Sequence, residues 1–131
     1  MNKLKHFSYE TDRMLACPCC GTRGMVPSVM RDLDNLRDES PFPFIITSGY
    51  RCPSYNSKNS STGLDGPHTT GRSVDIHVIG GEVYSLLPKL HKYGFTGIGL
   101  SQKGEHRKRF MHIDNLKDHE TKGPRPWVWT Y

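Results

Sequence analysis

The stretch Gly66-Pro67-His68-Thr69-Thr70-Gly71-Arg72-Ser73-Val74-Asp75-Ile76-His77-Val78 decides how this chain folds. From Arg72 to Val78 apolar and polar residues alternate with the two-residue period of a strand. Val74, Ile76 and Val78 point one way, into a core, while Ser73, Asp75 and His77 point the other. Gly71 permits a sharp turn just ahead of the strand, so that His68 on the loop folds back onto Asp75. A second alternating run, Phe110-Met111-His112-Ile113-Asp114, places His112 on the polar side of another strand. Two imidazoles and one carboxylate make a three-ligand set for Zn2+ with a fourth position open. An open position is the catalytic type, because the metal then polarises a carbonyl and lowers the pKa of bound water.

Outward from these strands the pattern is mixed. Val26, Val29, Met30, Leu33 and Leu36 recur at helical spacing within Met25 to Ser40, with Arg31, Asp32, Asp34 and Asn35 opposite. Phe44 to Thr47 reads as a short buried strand ending at Ser48-Gly49-Tyr50-Arg51. The polar segment from Cys52 to Thr70 reads as a loop, and loops longer than about 12–15 residues in a compact domain are functional or disordered. Val83, Leu86, Leu87 and Leu90 predict a helix over Gly81 to Tyr93, capped by Gly94. Phe95 to Leu100 is a Gly-rich strand, and Trp127 to Tyr131 is a closing one. The expectation is one α+β domain over residues 1–131, a small antiparallel sheet with flanking helices. The polar faces of two strands would form one wall of a cleft.

Composition narrows the function. The chain has 131 residues, 34% of them hydrophobic, with 13 glycines and 9 prolines, so loops should be extensive. No apolar run approaches the roughly 20 residues that cross a bilayer. The basic and aromatic start, Met1 to Glu10, has no apolar core of the kind a secretory signal needs. Synthesis in the cytoplasm without a classical signal is therefore expected, and work outside it would need another route of release or delivery. The net charge of +5 suits ordinary solubility or an anionic envelope polymer. Nucleic acid is not expected as a partner, since no helix-turn-helix or basic helix with interleaved aromatics occurs. Oligomeric state has no sequence signal. Three of the four cysteines crowd into Ala16-Cys17-Pro18-Cys19-Cys20-Gly21, and the fourth is Cys52. The paired CxxC spacing of a zinc ribbon is missing, so reduced structural thiols are the expectation, with a link from Cys52 to the cluster left open.

Three motifs in order, Ser48-Gly49-Tyr50-Arg51, His68-x-x-Gly71-x-x-x-Asp75 and His112-Ile113-Asp114, resemble those of the M15 peptidases. These are the zinc D-Ala-D-Ala carboxypeptidases and phage endolysin peptidases that share the hedgehog/DD-peptidase fold. The resemblance runs from Phe7-Ser8 and the cysteine cluster through Phe95-Thr96-Gly97-Ile98-Gly99 to Trp127-Val128-Trp129-Thr130-Tyr131, and it is greatest for the small phage or prophage branch. It implies that His68, Asp75 and His112 hold Zn2+. Arg51 would then grip a substrate carboxylate or carbonyl, or steady the oxyanion. Pro67 stands where many members have serine. Arg109 stands three residues before the last ligand, where many members carry the general base, and arginine accepts no proton. Asp114 on the strand face of His112, or Glu105 in the preceding turn, is the substitute base. An equal expectation for Asp114 is that it orients a ligand histidine. His77 is a further supporting or substrate-contact residue. The function implied is a zinc-dependent peptidase hydrolysing an amide in peptidoglycan stem peptides. The alternative is a non-catalytic zinc-binding module on the same scaffold, serving a virion or a protein partner.

Overall fold

Among residues 3–131, which the computed structural model describes, three α-helices precede or separate the first three of five strands, and the last three strands follow without an α-helix between them. Helix α1, Pro27–Asp38, starts where Pro27 supplies a preset φ at its first turn. It buries Val29, Met30, Leu33 and Leu36 completely. Its Asp34 accepts the backbone N–H of Lys5 and of His6 at 3.1 and 2.8 Å, tying the N-terminal segment to the helix. Helix α2 is Pro53–Asn59 and α3 is Gly81–Leu90. Val83, Leu86 and Leu90 of α3 face the core, whereas Leu87 lies toward solvent. Gly94, at φ +90°, takes the capping position beyond the last turn, and Phe95 N–H returns to the Leu90 carbonyl at 3.0 Å.

The strands are β1 Ile45–Ser48, β2 Ser73–His77, β3 Gly97–Ser101, β4 Phe110–Asp114 and β5 Trp127–Thr130. They lie in the order β1-β2-β4-β3-β5. The α+β class is as expected, but the sheet is mixed rather than antiparallel throughout, because β5 runs parallel to β3. The physical reason is the connection: residues 115–126 carry the chain across β3 instead of reversing it in a tight hairpin. β1 is also not the buried strand its apolar letters suggest. It occupies a sheet edge, where Ile45 is 57% exposed.

The segment from Cys52 to Thr70 is more ordered than a plain loop. Pro53 opens α2, and the Cys52 sulfur caps it by accepting Tyr55 N–H at 3.4 Å. Asn56, 1% exposed, donates to Thr62 Oγ1 at 2.8 Å and to the Gly63 carbonyl at 2.6 Å. One buried amide thus holds the polar segment closed where apolar side chains are lacking.

Val74, Ile76, Met111 and Ile113 seal the apolar side of the central strand pair. On the opposite side the register lines up one residue from each strand. Ser48 pairs with Asp75, Asp75 with His112, His112 with Gly99, and Gly99 with Trp129. Gly99 is there because the Trp129 ring occupies its side-chain space: a Cβ would stand 2.6 Å from Trp129 Cε2. Gly99→Ala should therefore lift the indole and cost about 1–3 kcal/mol, read as a lowered Tm with a shift in tryptophan emission.

Candidate metal centre

His68 comes from a single 3-10 turn, Pro67–Thr70, and is 6% exposed. Gly71 follows at φ +74°, with the Gly24 carbonyl oxygen where its Cβ would be, so only glycine fits the turn that returns the chain to β2. Asp75 and His112 then meet as direct partners on β2 and β4.

Hydrogen bonding fixes the ring tautomers. His68 Nδ1 lies 2.7 Å from the Gly49 carbonyl, which only accepts, so Nδ1 carries the proton. His68 Nε2 then turns a lone pair toward Asp75 Oδ1 at 3.2 Å. His112 Nε2 lies 2.7 Å from Asp114 Oδ2. Asp114 also accepts from Arg125 Nε at 3.0 Å and Nη2 at 2.9 Å. Burial works against the Asp114 charge, but His112 and Arg125 hold its carboxyl down at about 2. An ionised carboxylate only accepts, so His112 Nε2 carries its ring's proton and Nδ1 faces Asp75 Oδ1 at 3.1 Å. Two imidazole lone pairs and a carboxylate oxygen thus converge, an arrangement that calls for a cation or an added proton. Tetrahedral zinc bonds of about 2.0–2.2 Å set ligand atoms roughly 3.3–3.6 Å apart, close to the spacings seen. All three ligand atoms lie within 4.8 Å of one another, and the N2O donor set fits zinc.

Without metal, the added proton takes its place. Asp75 is buried, which disfavours its charge, yet His68 and His112 hold its carboxyl well below the ordinary carboxylate range. Burial likewise opposes a charged His112, but its bonds to Asp114 and Asp75 raise its pKa above the ordinary value near 6.5. A raised folded-state pKa gives stability that is present below about 6.5 and lost as pH rises through the folded value. Chelator-treated protein should therefore lose Tm as pH rises across that window. Zinc competes with the same proton, so its apparent affinity should fall as pH drops below the raised value. Thermal melts and zinc titrations over a pH series check both signs.

His68, Asp75 and His112 open onto a cleft of about 680 Å3. Arg51 lines it, with Nη2 3.9 Å from Asp75 Oδ2. Its guanidinium is aimed by Ser48 Oγ at 3.0 Å from Nε and by Asn56 Oδ1 at 3.4 Å from Nη1. The two acids expected as the general base, Asp114 and Glu105, are not brought to the cleft. Asp114 is fully buried behind His112, with its oxygens engaged by His112, Arg125 and the Leu116 N–H at 3.3 Å. That is the orienting geometry, not the geometry of a free base. Glu105 is exposed on its turn and paired with Arg107 at 2.6 Å. Arg109 reaches back to the Gly104 carbonyl at 3.0 Å, and its own carbonyl accepts from His77 Nδ1 at 2.8 Å, so His77 too stands aside. The acids lining the cleft are Asp75 and Asp65. Asp65 is exposed on the rim and lies 3.7 Å from Lys122 Nζ.

Sequence reasoning missed Arg125, whose side chain is 4% exposed. Its guanidinium also lies 5.1 Å from the centre of the Trp129 ring. Trp129 and Tyr131 form a cleft wall, with the Trp129 ring 5.0 Å from that of His112. The Arg-x-Trp-x-Trp ending carries a signal for this only once β5 is known to lie beside β3.

On an α+β sheet, two histidines and an aspartate that could hold one metal ion face an open cleft, the donor set of a metal-binding hydrolase. The Peptidase M15 family model matches residues 5–114, a span that includes Arg51, His68, Asp75 and His112, and the chain belongs to this family of peptidases. Comparisons with curated proteins and with solved structures gave no match. Among the described residues no helix is long and apolar enough to cross a membrane.

Proposed function

We propose that the protein is a zinc peptidase that hydrolyses an amide bond in peptidoglycan stem peptides, as a carboxypeptidase or an endolysin-type endopeptidase. The observation that carries this reading is the convergence of two histidine lone pairs and Asp75 beside the Arg51 guanidinium on an open cleft. When bound, zinc supplies Lewis-acid polarisation of a carbonyl and acidifies water. Arg51, permanently charged and held by Ser48 and Asn56, donates to the developing oxyanion or to a substrate carboxylate. Asp114 and Arg125 keep His112 in the ligating tautomer. Trp129 and Tyr131 give the cleft an apolar side for a short peptide, and its volume suits a few residues. A net charge of +5 favours approach to an anionic wall polymer, which fits action on the wall after release or delivery.

A second reading, zinc binding without cleavage, is supported by Arg109 at the expected base position and by the engagement of Asp114. Zinc-loaded protein incubated with isolated sacculi separates the two. The peptidase releases stem-peptide fragments detectable by mass spectrometry. Zinc retained at the histidine site with no release, across several wall chemistries and pH values, rejects cleavage in favour of the binding module.

A further inference from the structure

All four cysteines of the chain meet at one place, and none of them lines the cleft at the histidine centre. Cys17, Cys19, Cys20 and Cys52 come within 4.8 Å of one another at sulfur, although Cys52 is 33 residues from Cys19 in sequence. Cys19 Sγ stands 3.6 Å from Cys17 Sγ and 3.5 Å from Cys52 Sγ. A disulfide would select one partner, whereas Cys19 is shared almost equally between two. A tetrahedral tetrathiolate with zinc–sulfur bonds of about 2.3 Å sets neighbouring sulfurs roughly 3.8 Å apart, near the spacings found.

The loop has the shape such a site needs. Cys17 N–H donates to the Thr22 carbonyl at 2.9 Å and Gly21 N–H to the Cys17 carbonyl at 2.9 Å, with Gly21 at φ +72° closing the turn. Donors that would stabilise thiolates already point at the sulfurs. Cys52 N–H reaches Cys17 Sγ at 3.3 Å, Tyr55 N–H reaches Cys52 Sγ at 3.4 Å, and Thr22 Oγ1 lies 3.1 Å from Cys20 Sγ.

We infer that these four cysteines form a second, structural zinc site. Four protein ligands close the coordination sphere and leave no position for substrate. The site fastens the segment from Leu15 to Cys20 onto residues 49–52. Tyr50 N–H donates to the Leu15 carbonyl at 3.2 Å, and a Cβ at Gly49 would stand 2.8 Å from Leu15 Cα. The fastened segment carries Arg51 and the Gly49 carbonyl that sets the His68 tautomer. The thiolate site thus supports the catalytic side without touching substrate.

Cobalt(II) substitution of the full chain, purified in reductant and loaded anaerobically, tests this. Wild type should take up two equivalents, with near-ultraviolet thiolate-to-cobalt charge-transfer bands. The His68→Ala/His112→Ala variant should keep one equivalent and those bands. The Cys19→Ser/Cys52→Ser variant should lose them. Cys20→Ser, which alters an exposed side chain, should lose roughly a quarter of the charge-transfer intensity, one thiolate in four. A single equivalent without charge-transfer bands, with the thiols alkylated equally fast with and without cobalt, overturns the second site. That result leaves the histidine site standing, and loss of metal from the histidine site alone leaves the thiolate site standing.

Discussion

Replacing His112 with alanine should lower kcat/KM for the proposed stem-peptide release by at least about 10^3-fold, some 4 kcal/mol of transition-state stabilisation. The side chain is 2% exposed and contributes one of the two ring nitrogens aimed at Asp75. Its loss also strips Asp114 of a partner, leaving a buried carboxylate to Arg125 and one amide. A circular dichroism spectrum and a melt separate lost chemistry from lost fold. Asp114→Asn provides the finer control. It keeps the ligand but removes the charge that fixes the His112 proton on Nε2, and zinc should bind about 10–100-fold more weakly. Unchanged zinc affinity in Asp114→Asn would sink the orienting role.

Arg51→Ala should cost about 10^2–10^3 in kcat if the guanidinium stabilises the oxyanion. The geometry supports a large effect, because Ser48 and Asn56 aim a partly buried fork at the space beside Asp75. Lysine retains the charge but not the fork, so Arg51→Lys should recover only part of the rate. The kinetic pattern distinguishes two roles for the same residue. A fall in kcat on every substrate marks the oxyanion role, whereas a rise in KM confined to substrates with a free terminal carboxylate marks the gripping role. Wild-type kinetics on both substrate kinds would remove Arg51 from the machinery.

The strands that carry Asp75 and His112 were legible because alternation is a local property. Val74 and Ile76 against Asp75, and Met111 and Ile113 against His112, assign faces without knowledge of any neighbour. Gly71 was legible too, since a turn of that hand needs a residue without Cβ. What escaped depends on who sits beside whom. The parallel placement of β5 follows from where residues 115–126 travel, and no local pattern records that path. The burial of Ile45 was overestimated because an apolar strand reads alike at a sheet centre and at an edge. Helix α2 was hidden by serines and asparagines of low helix propensity, although Pro53 at its first turn was a start signal. Asp114 illustrates the limit at the site. Its position two residues after His112 showed the shared face, but only Arg125, brought in from beyond β4, decides that its oxygens are taken.

The Asp114 carboxylate touches His112, Arg125 and the Leu116 amide, and its oxygens fill the space above Gly97, where a Cβ would strike them. Residues that share one occupied volume and one charge do not contribute independently. Substitutions at positions 97, 112, 114 and 125 should therefore be strongly epistatic. An alanine at 97 that is costly beside Asp114 becomes tolerable once the carboxylate is shortened or removed. An engineer altering cleft specificity near Trp129 would do best to treat these four positions as one inherited unit, varying all of them or none.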